Sequence, residues 1–264
     1  MKEVTKLVLP VAGLGKRLRP LTLKTPKNLV KVCGRPLIEY VLEEIRETRI
    51  KEVVLITNPK QREQFKRYVR GIQKGRFDWL KFHICTQPIL GGDGHALLQA
   101  YDILKNEPFA VRFCDDIVVS DPPVLNSLLD IFSLIKAPVT LLQRVSDKLV
   151  PRFGVVKVKR VKFSGVRNLY KIVDVVEKPP LREAPSNLTI VGGYVITPKV
   201  LMNLKRIAGT LPLITDDALR IATALEIELI AGGRVYGWEF FGTRLDCGTL
   251  ENIAKTEEFL ENME

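Results

Sequence analysis

Residues 7–32, LVLPVAGLGKRLRPLTLKTPKNLVKV, hold the densest grouping of residue types suited to phosphate chemistry. An apolar, β-prone run (Leu7, Val8, Leu9, Val11) ends at Ala12-Gly13-Leu14-Gly15, and Lys16, Arg17 and Arg19 follow. Glycine lets ligand oxygens approach the backbone and permits positive φ. Consecutive N–H groups in such a turn form a concave donor nest for phosphate. Arg17 can hold charge that develops on a transferring phosphorus. The same Gly-Leu-Gly also suits an ordinary tight βα turn. It is not the dinucleotide fingerprint, because Leu18 stands at the third glycine. Nor is it a Walker loop, which needs Gly-Lys-Ser/Thr.

Five further groupings could work with it. In Gln87–Ala96 (QPILGGDGHA) glycines precede a helical pattern, and Gln87 offers the paired donor and acceptor that a nucleobase edge needs. A surface-loop glutamine and a capping or packing His95 are the plainer readings. Asp115-Asp116 end an apolar run, where an ionised carboxylate is a good Mg2+ ligand if phosphates supply other oxygens. Asp246, in RLDCGT, could be a second ligand. Asp116 or Asp121 could instead cap a helix, and so could Asp246. Glu177-Lys178 set side by side a carboxylate for sugar hydroxyls and an ammonium for a phosphate. An exposed pair on an edge strand is the alternative, and Pro179 suits it. Val191-Gly192-Gly193-Tyr194 marks close backbone approach within a strand, or a bulge.

Strands and helices must position these groups. The pattern predicts strands at 4–11, 53–57, 82–86 and 109–113, alternating with helices at 36–48, from Asn58-Pro59 to about Arg70, and 95–104. Such alternation predicts an α/β fold with a Rossmann-like mixed, mainly parallel sheet and helices on both faces. Ligands then bind beyond the carboxyl ends of the strands. The second part reads as β-rich at 139–145, 155–161, 166–176 and 189–196. Helices near 198–206 and 215–226, a strand near 234–241 and a final helix from about Thr249 follow. No linker or repeat separates the two parts. A single domain, residues 1–264, is expected, with a nucleotide-binding half (1–135) and a sugar-phosphate-binding half (136–264).

The 264 residues suffice for a sizeable core. No apolar run reaches the ~18 residues of a membrane span, and the first residues lack a signal-peptide pattern. A cytoplasmic protein without membrane association is expected. Cys33, Cys85, Cys114 and Cys247 are scattered with no CxxC pair, which fits reduced, buried thiols. The net charge of +11 favours an anionic partner. Lys157, Lys159, Arg160, Lys162, Arg167 and Lys171 concentrate some of it, but no basic stripe interleaved with aromatics marks a single-strand nucleic-acid binder.

The order of these segments resembles the sugar-phosphate nucleotidyltransferases over residues 5 to about 258. The Gly-His-Ala segment and Ala184-Pro185-Ser186-Asn187-Leu188 point to the bacterial-type UTP–glucose-1-phosphate uridylyltransferase branch. The resemblance implies the nucleotide-diphospho-sugar transferase fold and Mg2+-dependent attack of glucose 1-phosphate on the α-phosphorus of UTP, releasing pyrophosphate. It implies that Ala12, Gly13 and Gly15 line the triphosphate, with Arg17 and Lys27 acting on phosphate. Gln87 and Gly92 would hold uracil, and Asp115 and Asp246 would bind Mg2+. Gly154, Glu177 and Gly193 would hold glucose, and Lys178 its phosphate. No nucleic-acid partner is implied; a homo-oligomer, dimer or tetramer, is.

The chain departs from the family pattern at Lys16 (usually Thr), Cys114 (usually Gly), Phe153 (usually Tyr) and Asp93 (usually Leu). Leu213-Ile214-Thr215-Asp216 keeps Thr-Asp but lacks the polar residue two places before Thr215. The same chemistry with dTTP or another sugar 1-phosphate, a silent nucleotide-sugar-binding relative, and a nucleic-acid binder are the alternatives that assays must separate.

Overall fold

Strand β1 (Lys6–Pro10) is apolar from Leu7 to Leu9 because both of its faces are covered: Leu7 and Leu9 pack into one core and Val8 into another. The computed structural model describes residues 2–210 and 219–263. After β1 come β2 (Lys31–Val32), β3 (Arg35–Pro36), α1 (Leu37–Glu44), β4 (Glu52–Thr57), α2 (Arg62–Ile72), β5 (Lys81–Thr86), α3 (Asp93–Leu98), α4 (Tyr101–Leu104), β6 (Phe109–Arg112), β7 (Asp116–Val119) and α5 (Val124–Ile135). The second part adds β8 (Val139–Arg144), β9 (Gly154–Arg160), β10 (Leu169–Glu177), β11 (Leu188–Ile196), α6 (Pro198–Ala208), α7 (Ile221–Ile230), β12 (Tyr236–Glu239), β13 (Thr243–Asp246) and α8 (Leu250–Glu261).

Among the described residues, nine strands form one sheet in the order β5-β4-β1-β6-β11-β8-β12-β10-β9. β5, β4, β1 and β6 run parallel, as the strand–helix alternation predicts. Beyond β6 the neighbours are antiparallel except β8 and β12, so the sheet is mixed. One face is covered by α1, α2 and α5 through residues such as Val41, Phe65 and Phe132. The other is covered by α3, α6 and α7 through Leu97, Leu201 and Leu225. No helix among the described residues is long and apolar enough to cross a membrane. On the outer strand β9, Lys157, Lys159 and Arg160 are exposed, a charge pattern that discourages edge-to-edge pairing.

The structure differs from the sequence expectations in several places. Helix α5 had no counterpart, although Val124, Leu125, Leu128, Ile131, Phe132 and Ile135 are buried at helical spacing. The helix expected at 95–104 is two short ones, interrupted at Ala100 (φ −112°, ψ 18°). The helix expected at 215–226 is α7, beginning at Ile221; residues 215–218, and with them Leu213–Asp216, lie outside the described residues. Neither Asp116 nor Asp246 caps a helix. Asp116 opens β7 and Asp246 closes β13, and these two strands pair antiparallel with Asp246 opposite Asp116. The cap of α8 is Thr249, whose side chain accepts from the Asn252 N–H.

Candidate functional site

The glycine loop leaves the carboxyl end of β1 and turns sharply at Gly15 (φ 61°, ψ 35°). Thr22 Oγ1 donates to the Gly15 carbonyl at 2.8 Å. A Cβ on Gly15 would lie 2.9 Å from both Lys27 Cβ and Thr22 Cγ2, so only glycine fits. Gly13 is exposed with nothing within 4 Å of a Cβ position, leaving its backbone open to a ligand. The turn is anchored by Leu18, fully buried with Val30, Val32, Leu37, Ile117, Cys247 and Ile253. That small core fastens the loop to β7 and α8, and so to the aspartates they carry. Gly15→Ala is expected to cost about 1–2 kcal/mol in left-handed backbone alone, while Gly13→Ala should stay within about 0.5 kcal/mol. Denaturant titration of the two variants checks the contrast.

Beside this loop Lys27 Nζ forms an ion pair with Asp115 Oδ2. Burial pushes the Asp115 carboxyl up, but the Lys27 charge and hydrogen bond outweigh it and hold the group below the usual carboxylate range. Asp116 behaves oppositely: burial raises it, Arg244 opposes and the Asp115 charge adds, with a net upward shift. Asp116 Oδ1 accepts from Arg244 Nε at 3.0 Å and Nη2 at 2.6 Å. The neighbouring aspartates are therefore split, with Asp115 the more readily ionised.

The β7–β13 pairing brings Asp246 to the same place, and the Cys247 N–H donates to the Asp115 carbonyl at 2.8 Å. Asp246 accepts from the Gly248 N–H at 2.8 Å and from Asn252 Nδ2 at 3.3 Å. A Cβ on Gly248 would lie 2.8 Å from Asp246 Oδ1 and 3.0 Å from Arg17 Nη2. Arg17, Lys27, Asp115 and Asp246 thus gather at one end of the sheet. The described residues contain no group of three or more His, Cys, Asp or Glu that could hold a metal by themselves. Two carboxylates without a full protein cage fit Mg2+, which keeps waters and takes oxygens from substrate phosphates.

A cavity of about 190 Å3 lies alongside, lined by Phe153, Gly154, Glu177, Lys178, Asp93 and Arg220, among others. Gly154 and Glu177 are register partners on β9 and β10, and a Gly154 Cβ would lie 3.0 Å from Glu177 Oε2. Glu177 pairs with Arg220, and its Oε1 is 3.7 Å from Lys178 Nζ. Lys178 holds a left-handed φ of 48° while its N–H donates to the Phe153 carbonyl at 3.0 Å. Arg244 joins the two regions: it binds Asp116 and lies 5.1 Å over the Phe153 ring. A larger cavity, about 550 Å3, sits before the amino end of β1 between residues 2–4, 47–49 and α5, and none of the expected site residues lines it.

Four expected residues have other engagements. Gln87 is buried, and its Nε2 contacts the Gly92 carbonyl at 3.0 Å and His95 Nδ1 at 3.1 Å. Gly92 has φ 102°, and its Cβ would fall 2.2 Å from the Leu219 carbonyl oxygen, so its bareness admits the Leu219 backbone. Gly193 is not among the residues lining the cavity: its Cβ would meet Leu141 Cδ1 at 2.4 Å, and its carbonyl accepts from Thr140 Oγ1 at 3.0 Å. Ala12 receives a hydrogen bond on its carbonyl from Asn58 Nδ2 at 2.7 Å.

Sequence reasoning missed Arg112. It is fully buried and meets Glu44 through Nε at 3.2 Å and Nη2 at 2.6 Å. It also donates to the Gly192 carbonyl at 2.9 Å and the Asp116 carbonyl at 3.0 Å. A charge inside the apolar run Phe109–Phe113 was the available signal.

The profile of the nucleotidyl transferase family matches residues 6–262. The UTP–glucose-1-phosphate uridylyltransferase of Bacillus subtilis (strain 168) is 31% identical over 281 residues, covering 98% of this chain and 92% of that protein. The uridylyltransferase YngB of the same strain is 34% identical over 269 residues, covering 93% and 88%. A solved UDP-glucose pyrophosphorylase complexed with UDP-glucose superposes with a TM-score of 0.86 at 26% identity, covering 99% of this chain and all 100% of that one. A UTP-bound enzyme of this type from Acinetobacter baumannii gives 0.82 at 28% identity, covering 99% and 94%.

Proposed function

The chain belongs to the nucleotidyl transferase family, and on that premise we propose that it makes UDP-glucose and pyrophosphate from UTP and glucose 1-phosphate. The observation that supports the assignment of residues is the juxtaposition of two clusters of charged side chains through Arg244. On one side lie the glycine loop, Arg17, Lys27, Asp115 and Asp246; on the other lie Glu177, Lys178 and Arg220.

Both reactants are polyanions, so the barrier is dominated by charge repulsion and alignment. The loop N–H groups and Arg17 hold the triphosphate. Lys27 stands ready beside it. Glu177 accepts hydrogen bonds from sugar hydroxyls, and Lys178 draws the sugar phosphate toward the α-phosphorus. The attacking phosphate oxygen is already ionised at neutral pH, so no side chain need remove a proton. Asp115 and Asp246 would hold Mg2+, which neutralises phosphate charge when bound. The family resemblance assigns Gln87 and Gly92 to the uracil, with Gln87 Nε2 already engaged at the Gly92 carbonyl and His95. A cytoplasmic enzyme is supported by four scattered cysteines with no CxxC pair, and a homo-oligomer, dimer or tetramer, goes with the family.

Pyrophosphate release measured over a matrix of nucleoside triphosphates and sugar 1-phosphates tests the assignment. The pair UTP and glucose 1-phosphate should give the highest kcat/KM; preference for dTTP or another sugar phosphate would overturn it. Lys178→Ala should lower kcat/KM for glucose 1-phosphate about a hundredfold, the cost of one preorganised charge contact, while the KM for UTP stays near its original value.

A further inference from the structure

We propose that the β9–β10 hairpin docks on an anionic lipid surface, with Phe163 entering the bilayer interface inside a collar of basic side chains. Between residues 157 and 174 six cations (Lys157, Lys159, Arg160, Lys162, Arg167 and Lys171) are set against one carboxylate, Asp174. All six are exposed, and none forms an ion pair among the described residues. Asp174 lies opposite Lys157 in register, but its Oδ1 accepts from the Val175 N–H at 2.9 Å.

Lys159 and Lys171 are register partners, so two like charges stand directly opposite on one face. Lys157 shares that face, two residues along β9. A like-charge pair of this kind is destabilising by itself. Protection of the sheet edge accounts for charges on β9, the outer strand. It does not account for Lys171, because β10 is paired on both sides, to β12 and to β9. A charge arrangement that costs stability and answers no local need points to an external anion.

The hairpin tip supplies an apolar part. The turn over 163–166 closes with the Val166 N–H donating to the Phe163 carbonyl at 3.1 Å, and Phe163 is 40% exposed next to Lys162. Val173, where the register of β10 shifts, is 39% exposed. One aromatic gives no stacking platform for successive bases, which argues against a single-stranded nucleic acid. An apolar side chain ringed by lysine and arginine fits the headgroup region of an anionic leaflet. The contact is peripheral, since no described helix can cross a bilayer. It departs from the expectation of no membrane association, which rested on the lack of a spanning segment. Gly154 and Glu177 lie at the other end of β9 and β10 from the tip, so docking by the tip leaves that end uncovered.

Sedimentation of the full chain with neutral phosphatidylcholine vesicles, and with the same vesicles enriched in phosphatidylglycerol, tests the proposal. The chain should pellet with the anionic vesicles alone, and added salt should release it. Lys159→Gln with Lys171→Gln should weaken partitioning about 25-fold, about fivefold for each charge, with the melting temperature unchanged or slightly raised. Phe163→Ala should weaken it about tenfold. Arg67→Gln with Arg70→Gln removes two exposed charges from α2 instead and should change partitioning no more than about twofold. Failure of the unaltered chain to pellet with anionic vesicles at low salt would overturn the proposal. So would an equal loss in the α2 variant, which would trace binding to net charge. Single-stranded RNA binding that the lysine variant loses, with vesicle binding unchanged, would overturn it too.

Discussion

Asp115→Ala should lower kcat for UDP-glucose formation about a thousandfold, some 4 kcal/mol of transition-state stabilisation, while the protein remains folded. Asp115 is the aspartate that its surroundings keep ionised: burial opposes the charge, and Lys27 more than compensates. Its neighbour Asp116 is already committed to Arg244. Removing Asp115 takes away one of two carboxylates that would hold Mg2+, and it leaves the Lys27 ammonium without its partner. Asp115 packs in none of the hydrophobic clusters, so the melting temperature should move by only a few degrees. Steady-state pyrophosphate release together with thermal unfolding checks both parts. Near-normal turnover in Asp115→Ala would show that the carboxylate has no part in transfer.

Arg112→Met should destabilise the protein by about 3–5 kcal/mol, lowering Tm by about 10 °C. The Glu44 carboxylate would be left buried beside an apolar side chain, and a buried charge without its partner carries a large desolvation penalty. Two backbone carbonyls, of Gly192 and Asp116, would lose their donor as well. Replacing both partners, Arg112→Met with Glu44→Leu, should recover most of the lost stability, because the cost lies in the unpaired charge. Catalysis should not recover in step. Arg112 ties the segment bearing Asp115 and Asp116 to β11 at Gly192, and an apolar pair restores packing without restoring that tie. Calorimetric melting and kcat/KM on the single and double variants separate the two effects. A double variant as active as the original chain would reduce Arg112 to a structural residue.

The amino-acid sequence by itself determined most of the elements and the family to which the chain belongs. The apolar run before Gly13-Leu14-Gly15, the alternation of short strands with amphipathic helices, and the carboxylate and lysine at the end of β10 are local signals. Hydrophobic periodicity and glycine's freedom act over a few residues, so they can be read in one dimension. Even α5 obeyed that rule, with its buried stripe at helical spacing. Tertiary structure alone decided which groups meet. Asp116 and Asp246 are 130 positions apart in sequence, yet they face each other because β7 and β13 pair. Arg112 on β6 finds Glu44 at the end of α1, Arg244 lies over Phe153, and Gly193 turns to Leu141 while Tyr194 walls the cavity. Such contacts depend on strand order, register and burial, and a charge inside a strand does not reveal its partner until the chain around it has packed.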